Sequence, residues 1–244
     1  MDYLKRFESK SEVVVLQGLL SIIIPTFNAQ TSIIDTLTPL QTLREQGHEV
    51  IVVDGGSTDN TCQLAAPLVD NLVSSLRGRA QQMNLGAQVA TGKVLVFLSV
   101  DTFLPQYADL MILVCLFSNR KDWGRFDIGL EGQKLSLRIV ETLANLRSRL
   151  TGIATGEQAI FVKRSVFEQI QGFPEIPVLE DISLSRQLKH KSRPVCLKNK
   201  VIVSKRRWAE KGLMRTIVSM WKLRFAYALG VSPWTLEKRF NNLS

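Results

Sequence analysis

Two acids stand where apolar runs give out. In "KVLVFLSVDTFLP", Val94 to Leu98 form an unbroken apolar stretch, and Asp101 follows three residues later. In "EVIVVDGGSTD", Val50 to Val53 run straight into Asp54, with Gly55 and Gly56 beside it. Acids at the ends of buried strands are positioned to meet a ligand or a metal ion. An Asp before a Gly pair also forms turns on its own account. A third acidic point is "LEDISLSRQLKH", where Glu180 and Asp181 open a helical pattern. The dipole at a helix start favours acids.

Other chemistries find little support. The three cysteines, Cys62, Cys115 and Cys196, are odd in number, far apart and without CxxC spacing. That argues against a disulfide framework or zinc cluster and fits a reducing, cytoplasmic setting. His48 and His190 are isolated. "PTFNAQTS", after the first strand-like run, is not the Gly-rich phosphate loop of a nucleotidyltransferase. The net charge is 31 − 22 = +9, which suits an anionic partner: a nucleotide sugar, an acidic membrane surface or a nucleic acid. The cations are dispersed and no base-stacking motif accompanies them, so a nucleic-acid partner is not expected.

The elements that position these acids alternate through the first half. Leu20–Pro25, Glu49–Asp54, Asn71–Ser75 and Lys93–Leu98 read as strands. Thr31–Glu45, a segment opening near Ser57 or Thr58 with Asp59 in its first turn, and Gly78–Gly92 read as helices between them. This order predicts an α/β fold with a mostly parallel sheet flanked by helices, its ligands at the carboxyl ends of the strands. Asp54 and Asp101 then face one crevice. In the second half, Trp123–Gly132 reads as an exposed strand and Leu135–Leu150 as a helix. Gln158–Pro174 reads as a strand followed by a helix from about Arg164 to Gln171, and Val195–Ser204 as a strand. The N-terminal apolar stretch Val13–Ile24 is interrupted by Gln17, Gly18 and Ser21, and reads as leading into a strand rather than as a signal peptide. No run reaches the roughly 20 apolar residues of a membrane span.

Five segments, in order, carry a resemblance: "SIIIPTFN", "VVDGGSTDNT", "GRAQQMNLGAQVATGKVLVFLSVDT", "GEQAIFV" and "LEDISLSRQLK". Together the chain resembles family 2 glycosyltransferases of the GT-A fold, most closely their compact bacterial branch, whose members also carry segments like "WGRFD" and "RRW". The resemblance implies a nucleotide-diphospho-sugar transferase fold over residues 1–211, with a C-terminal helical appendage over 212–244. It implies that Pro25, Thr26 and Asn28 hold the base and ribose of a nucleotide sugar. Ala29 and Gln30 follow that Asn where many relatives have a Glu. Asp54 would accept a hydrogen bond from the base, and Gly55 and Gly56 would let the backbone approach the ligand. Arg77, Gly78, Arg79 and Gln82 fall in the nucleotide-contacting segment, where a cation offsets diphosphate charge. A solvated helix start is the plain alternative for them.

"SVD" matches the family's Asp-x-Asp metal motif with Ser99 in place of the first acid. Asp101 keeps the acid that touches Mg²⁺ or Mn²⁺, and donor phosphates and water complete the octahedron. The resemblance makes Asp181, with Glu180 beside it, the catalytic base of a direct displacement with inversion. It puts Gly156, Glu157 and Gln158 on the acceptor side, with Trp123 and Asp127 lining the same cleft. Arg206, Arg207 and Trp208 either close over the diphosphate or form a surface loop. The basic tail from Gly212 to Phe240 interleaves Trp221, Phe225 and Tyr227 with Arg215, Lys222 and Arg224. Such a helix serves a core, an oligomer contact or an acidic bilayer surface. The expected function is transfer of a sugar from a nucleotide-diphosphate donor to an acceptor hydroxyl, of a lipid among other classes. The setting expected for it is the cytoplasm or the inner face of the cell membrane. The alternative is a non-catalytic nucleotide-sugar or lipid-binding protein whose metal motif has degenerated at Ser99.

Overall fold

The computed structural model describes residues 19–206 and 213–241. Arg207 and Trp208, and the stretch before residue 19, lie outside them. Strands β1 (Leu20–Thr26), β2 (Glu49–Asp54), β3 (Asn71–Ser74) and β4 (Val94–Phe97) lie parallel in the order β3-β2-β1-β4. Their side chains alternate between two cores. Ile22, Ile24, Val50, Val52, Val94 and Val96 face one. Ile23, Ile51, Val53, Leu95 and Phe97 face the other. Both faces of β1, β2 and β4 are covered, which is why these three strands are largely apolar rather than alternating, whereas the edge strand β3 is half-exposed.

Helix α1 (Ile33–Leu37) covers the first core with Ile33 and Leu37, Leu40 adds to it from the turn that follows, and helix α2 (Gln41–Glu45) comes next. The single helix expected over Thr31–Glu45 is broken by a 3₁₀ turn, Thr38–Leu40, at Pro39. Proline has no N–H to donate to the helical ladder. The next helix, α3 (Thr61–Ala65), starts later than expected. Ser57 does not cap it, and Asp59 precedes it, accepting the Thr61 N–H at 3.0 Å. Helix α4 (Arg79–Val89) packs on β1 and β2 through Ala80, Met83 and Ala87 in the second core.

The second half departs from a simple parallel sheet. β5 (Thr102–Phe103) and helix α5 (Ala108–Leu113) come first, then β6 (Trp123–Leu130) and helix α6 (Leu135–Thr151). Beyond them lie β7 (Ile160–Lys163), α7 (Arg164–Gln169), α8 (Glu180–Lys191) and β8 (Val195–Val203). β7 runs antiparallel to both β4 and β6, β8 runs parallel to β6, and β5 closes the far edge antiparallel to β8. The strand expected to be exposed over Trp123–Gly132 is buried along its whole length as β6. It lies between β7 and β8, with α6 packed on it. Arg125 and Asp127 find internal partners through their outer nitrogens and carboxylate oxygens, so their presence did not mean exposure. Phe97, Phe167 and Phe173 form an aromatic cluster with centroids 4.8–5.7 Å apart, tying α7 to the end of β4.

The tail forms two helices, α9 (Leu213–Ala228) and α10 (Pro233–Asn241), separated at Gly230, whose φ is +88°. Leu223 and Leu236 bury against Leu179 and Ile182 at the start of α8. No helix among the described residues is long and apolar enough to cross a membrane.

Candidate active site

Three strand ends meet at one edge of the sheet. The loops after β1 and β2 are stitched together by side chains. Asn28, with φ +47°, donates its N–H to Ser57 Oγ at 2.8 Å and accepts the Thr58 N–H on Oδ1 at 2.9 Å. Ala29 N–H reaches Thr61 Oγ1 at 2.7 Å, and Gln30 Oε1 accepts from Asn60 N–H at 3.3 Å. Asp54 is buried at the end of β2. Its Oδ2 accepts the N–H groups of Gly56 and Ser57 at 3.0 and 2.7 Å, and its Oδ1 accepts the hydroxyls of Ser57 and, at 3.3 Å, Thr26. Burial pushes the Asp54 carboxyl up, but the Ser57 hydroxyl and the two N–H donors outweigh it and hold it below the usual range. Both oxygens are thus engaged by the loop they organise. Gln82 braces the same edge, donating to the carbonyls of Thr26 and Val53, both at 2.8 Å.

At the end of β4, Ser99 is buried. Its hydroxyl accepts from Arg79 Nη2 at 2.8 Å and donates to the Gly156 carbonyl at 3.0 Å. Asp101 follows in the left-handed region, φ +65°. Its N–H donates to Thr36 Oγ1 at 3.1 Å and its carbonyl accepts from Ser204 N–H at 2.8 Å, so both neighbours fix the strained backbone.

Arg79 links this edge to the second half. Its Nε pairs with Glu180 Oε1 at 3.0 Å. Asp181 Oδ2 accepts the Gly156 N–H at 2.8 Å. A Cβ on Gly156 would fall 2.5 Å from Arg79 Nη2, so the guanidinium can lie there only over a glycine. The 3₁₀ turn Gly156–Gln158 is itself fixed by a capping box, with Gln158 Oε1 accepting the Thr155 N–H at 3.0 Å. Burial, then Asp181, raises Glu180 to about 7, against the pull of Arg79. Burial and Glu157 likewise raise Asp181, with Arg224, the Gly156 N–H and Arg79 acting the other way. Arg79, Met83, Phe97, Gly156, Phe173 and Asp181 line a gap with no room for a water molecule. The arrangement is a carboxylate pair with raised proton affinity, beside a cation, at the carboxyl edge of a nucleotide-type sheet.

Residues 21–127 match the family model Glycosyl transferase family 2. A PGL/p-HBAD biosynthesis glycosyltransferase of Mycobacterium tuberculosis is 35% identical over 106 residues, 41% of either chain. The O-antigen chain rhamnosyltransferase RfbN of Salmonella typhimurium is 27% identical over 191 residues, covering 69% of this chain and 60% of that one. The matched segments thus span less than two thirds of these relatives. The mannosyltransferase PcManGT from Pyrobaculum calidifontis, solved with GDP-Man and Mn²⁺, superposes with a TM-score of 0.61 at 21% identity, over 91% of this chain and 65% of that one. The fold is GT-A.

Pro25 and Thr26 end β1 and Asp54 ends β2, and Asn28, Gly55 and Gly56 lie in the stitched loops that follow them. Arg79, Ser99, Gly156, Glu180 and Asp181 meet in one cluster. Glu157 borders it, acting on the proton affinity of Asp181. Arg77 is exposed and stacks over Phe27 at 4.1 Å. Gln82 and Gln158 are buried bracing residues rather than surfaces for a ligand.

Two expectations are overturned. Trp123 does not line the cleft: it is fully buried, its Nε1 donating to Ser192 O at 2.9 Å. Asp127 is buried in an ion-pair cluster, bonded to Arg125 Nη1 and, at 2.5 Å, Arg149 Nη2. Both sit on β6, whose two edges are taken by β7 and β8 and which α6 packs against, so neither reaches the site.

The sequence reading missed Arg147 on α6 as a neighbour of Asp181 and Glu157, and did not connect Arg224 with Asp181. No local motif marks either one. For a divalent cation, Asp101 is a single carboxylate, and Ser99 is already committed to Arg79 and Gly156. Among the described residues no group of three His, Cys, Asp or Glu could hold a metal. Such an edge fits Mg²⁺ or Mn²⁺ only where phosphate oxygens and water supply most of the ligands.

Proposed function

We propose that this chain is an inverting, hexosyltransferase-type glycosyltransferase that moves a sugar from a nucleotide-diphosphate donor to an acceptor hydroxyl. The observation that supports it is the cluster of Arg79, Ser99, Gly156, Glu180 and Asp181, where a base with raised proton affinity lies beside a cation. The acceptor oxygen attacks the anomeric carbon as the bond to the nucleoside diphosphate breaks. Asp181, ionised, takes the acceptor proton. The Gly156 N–H and Ile182 N–H, at 2.8 and 2.7 Å, hold its two oxygens in place. Arg79 offsets charge that gathers on the departing diphosphate, and Ser99 and Glu180 fix its guanidinium. The loops of β1 and β2, with Asn28, Asp54, Gly55 and Gly56, form the floor for base and ribose, and Arg77 stands at their rim. Asp101 would hold a Mg²⁺ or Mn²⁺ that offsets diphosphate charge when donor is bound. Peripheral contact with the inner face of the cell membrane and a lipid acceptor belong to the same reading, supported by the exposed Trp221, Phe225, Leu229 and Trp234.

The test is donor hydrolysis and transfer with UDP-, GDP- and TDP-sugars in the presence of Mn²⁺. Turnover that disappears in Asp181→Asn supports the enzyme over a binding protein. If no nucleotide sugar binds and Asp101→Ala alters nothing, the proposal fails.

A further inference from the structure

Helix α6 is amphipathic the wrong way round. Its buried face is made of Leu137, Glu141, Asn145 and Ser148, three of them polar. Its opposite face carries Leu135, Ile139, Leu143, Leu146 and Leu150, between 47% and 78% exposed. A surface helix ordinarily turns its aliphatic stripe to the core and its polar face to water.

The inward face has a local cause. β7 pairs with β6 at Trp123 and Gly124, and further along β6 the side chains of α6 meet its backbone. Asn145 Oδ1 accepts the Ile128 N–H at 2.9 Å, and its Nδ2 donates to the Ile128 carbonyl at 3.0 Å. Glu141 Oε1 accepts the Leu130 N–H at 2.5 Å, and Lys200 Nζ donates to its other oxygen at 2.8 Å. The polar residues of α6 thus satisfy strand groups that would otherwise lie buried and unpaired. That explains why polar residues point in. It does not explain why aliphatic ones point out.

The outer face has the period of a helix partner. Ser136, Ile139, Leu143, Leu146 and Leu150 are all exposed and follow one another by alternating steps of three and four residues. That alternation keeps an a/d seam turned toward a second helix. With 17 residues, α6 offers such a seam over about 25 Å.

Charge selects the partner. The chain has 31 Lys and Arg against 22 Asp and Glu, yet no exposed position of α6 is charged. Arg138 turns back onto the carbonyls of Leu130 and Gly132, and Arg149 onto Asp127 and the Cys196 carbonyl. Arg147 is half-buried. An acidic protein or an acidic bilayer is met by exposed cations, and this face presents none. A strongly basic chain can meet its own copy only where its cations do not oppose each other. Two such stripes face to face bury on the order of 1,000 Å² in all, the lower end for a specific interface.

We propose that the exposed face of α6 pairs with the same face of a second copy of the chain, making an isologous two-fold dimer through a helix–helix seam. The pairing does not depend on the reaction that the site performs. Leu143 stands at the middle of the stripe, so it meets its own copy whether the two helices run parallel or antiparallel. The experiment is sedimentation velocity of the full chain, without detergent, from low to high micromolar concentration. It compares wild type, Leu143→Glu, Leu143→Lys and an equimolar mixture of the two variants. Expected are a wild-type dimer that dissociates on dilution and a loss of at least about tenfold in association for each variant alone. The dimer should return in the mixture, where opposite charges face one another. Leu143 is 47% exposed, so both variants should keep the wild-type circular dichroism and melting temperature at the lowest concentration. If either fails to fold, Leu143→Gln/Leu146→Gln takes its place, with the same loss expected. A wild type that stays monomeric throughout overturns the inference. So does a dimer that the variants leave intact, because the contact then lies on another face. Charge variants that stay monomeric when mixed overturn the two-fold seam. A monomeric wild type that sediments with phosphatidylglycerol–phosphatidylcholine vesicles, and ceases to in Leu143→Glu, gives the face to a bilayer and overturns it as well.

Discussion

Glu180 and Asp181 open one helix within reach of Arg79, and each bears on how the protein responds to pH. The Glu180 carboxyl titrates near 4.5 in an unfolded chain and is raised to about 7 in the fold, chiefly by burial. Between those values the unfolded chain releases a proton that the folded chain keeps. The contribution to stability is therefore full below about 4.5 and is lost as pH rises through about 7. Urea unfolding followed across this range should show stability falling with pH, and Glu180→Gln should flatten the fall. Transfer should move the opposite way, because the base works ionised. Its rate should rise with pH along an acid limb that belongs to the coupled pair rather than to either residue. Asp181→Asn should lower transfer by about 10²-fold or more while nucleotide-sugar binding persists. Loss of binding together with rate would make Asp181 a strut for the Gly156 turn and not a base.

At the scale of elements, the site depends on how closely α4 lies on the sheet. That helix presents Arg79 at its first position and Gln82 one turn on. Gly86 permits the contact: a Cβ there would fall 2.4 Å from Ile23 Cγ2 and 3.0 Å from Val53 Cγ2. Alanine ordinarily improves a helix interior by up to about 1 kcal/mol over glycine. Here overpacking costs about 1–3 kcal/mol, and Ile23 cannot yield because β2 and β4 pair with its strand on both sides. Gly86→Ala should therefore destabilise the protein in urea and, by lifting the α4 start, weaken donor binding more than its distance from the site suggests. The same first half was legible in sequence because its rules are local. β1, β2 and β4 are near-continuous apolar runs buried on both faces, and Asp54 and Asp101 sit where two of those runs end. The helix start at Glu180 was legible for the same reason. The second half was not. Gly124, Arg125 and Asp127 give Trp123–Leu130 the look of a surface strand, and only the long-range partners Asn145 and Arg149 on α6 make it a core strand. Arg147 and Arg224 share no motif with the residues they approach, so nothing near them in the chain announces the meeting.

The whole molecule assembles its candidate site from both halves of the chain. The β1, β2 and β4 ends and the α4 start come from the first half, and the Gly156 turn and α8 come from the second. A donor that spans them ties the two together, and binding to the folded state alone raises its stability by mass action. At a free concentration of about 100 times Kd that is about 2.7 kcal/mol, or roughly 5–10 °C in Tm for a chain of this size. The metal should not do this by itself. Asp101 supplies one carboxylate near the β4 edge, Ser99 is bound to Arg79 and Gly156, and most of an octahedral shell would come from the diphosphate and water. Thermal unfolding with Mn²⁺ alone should leave Tm unchanged, nucleotide sugar alone should raise it modestly, and the two together should raise it by more than the sum. Asp101→Gly is the sharpest variant, because glycine accepts the +65° backbone at no steric cost. Its stability without ligand should stay within about 1 kcal/mol of the parent, while the excess given by Mn²⁺ and donor together disappears. A full rise with Mn²⁺ alone, unaffected by Asp101→Gly, would mean that the cation is held elsewhere and that the β4 edge takes no part in binding it.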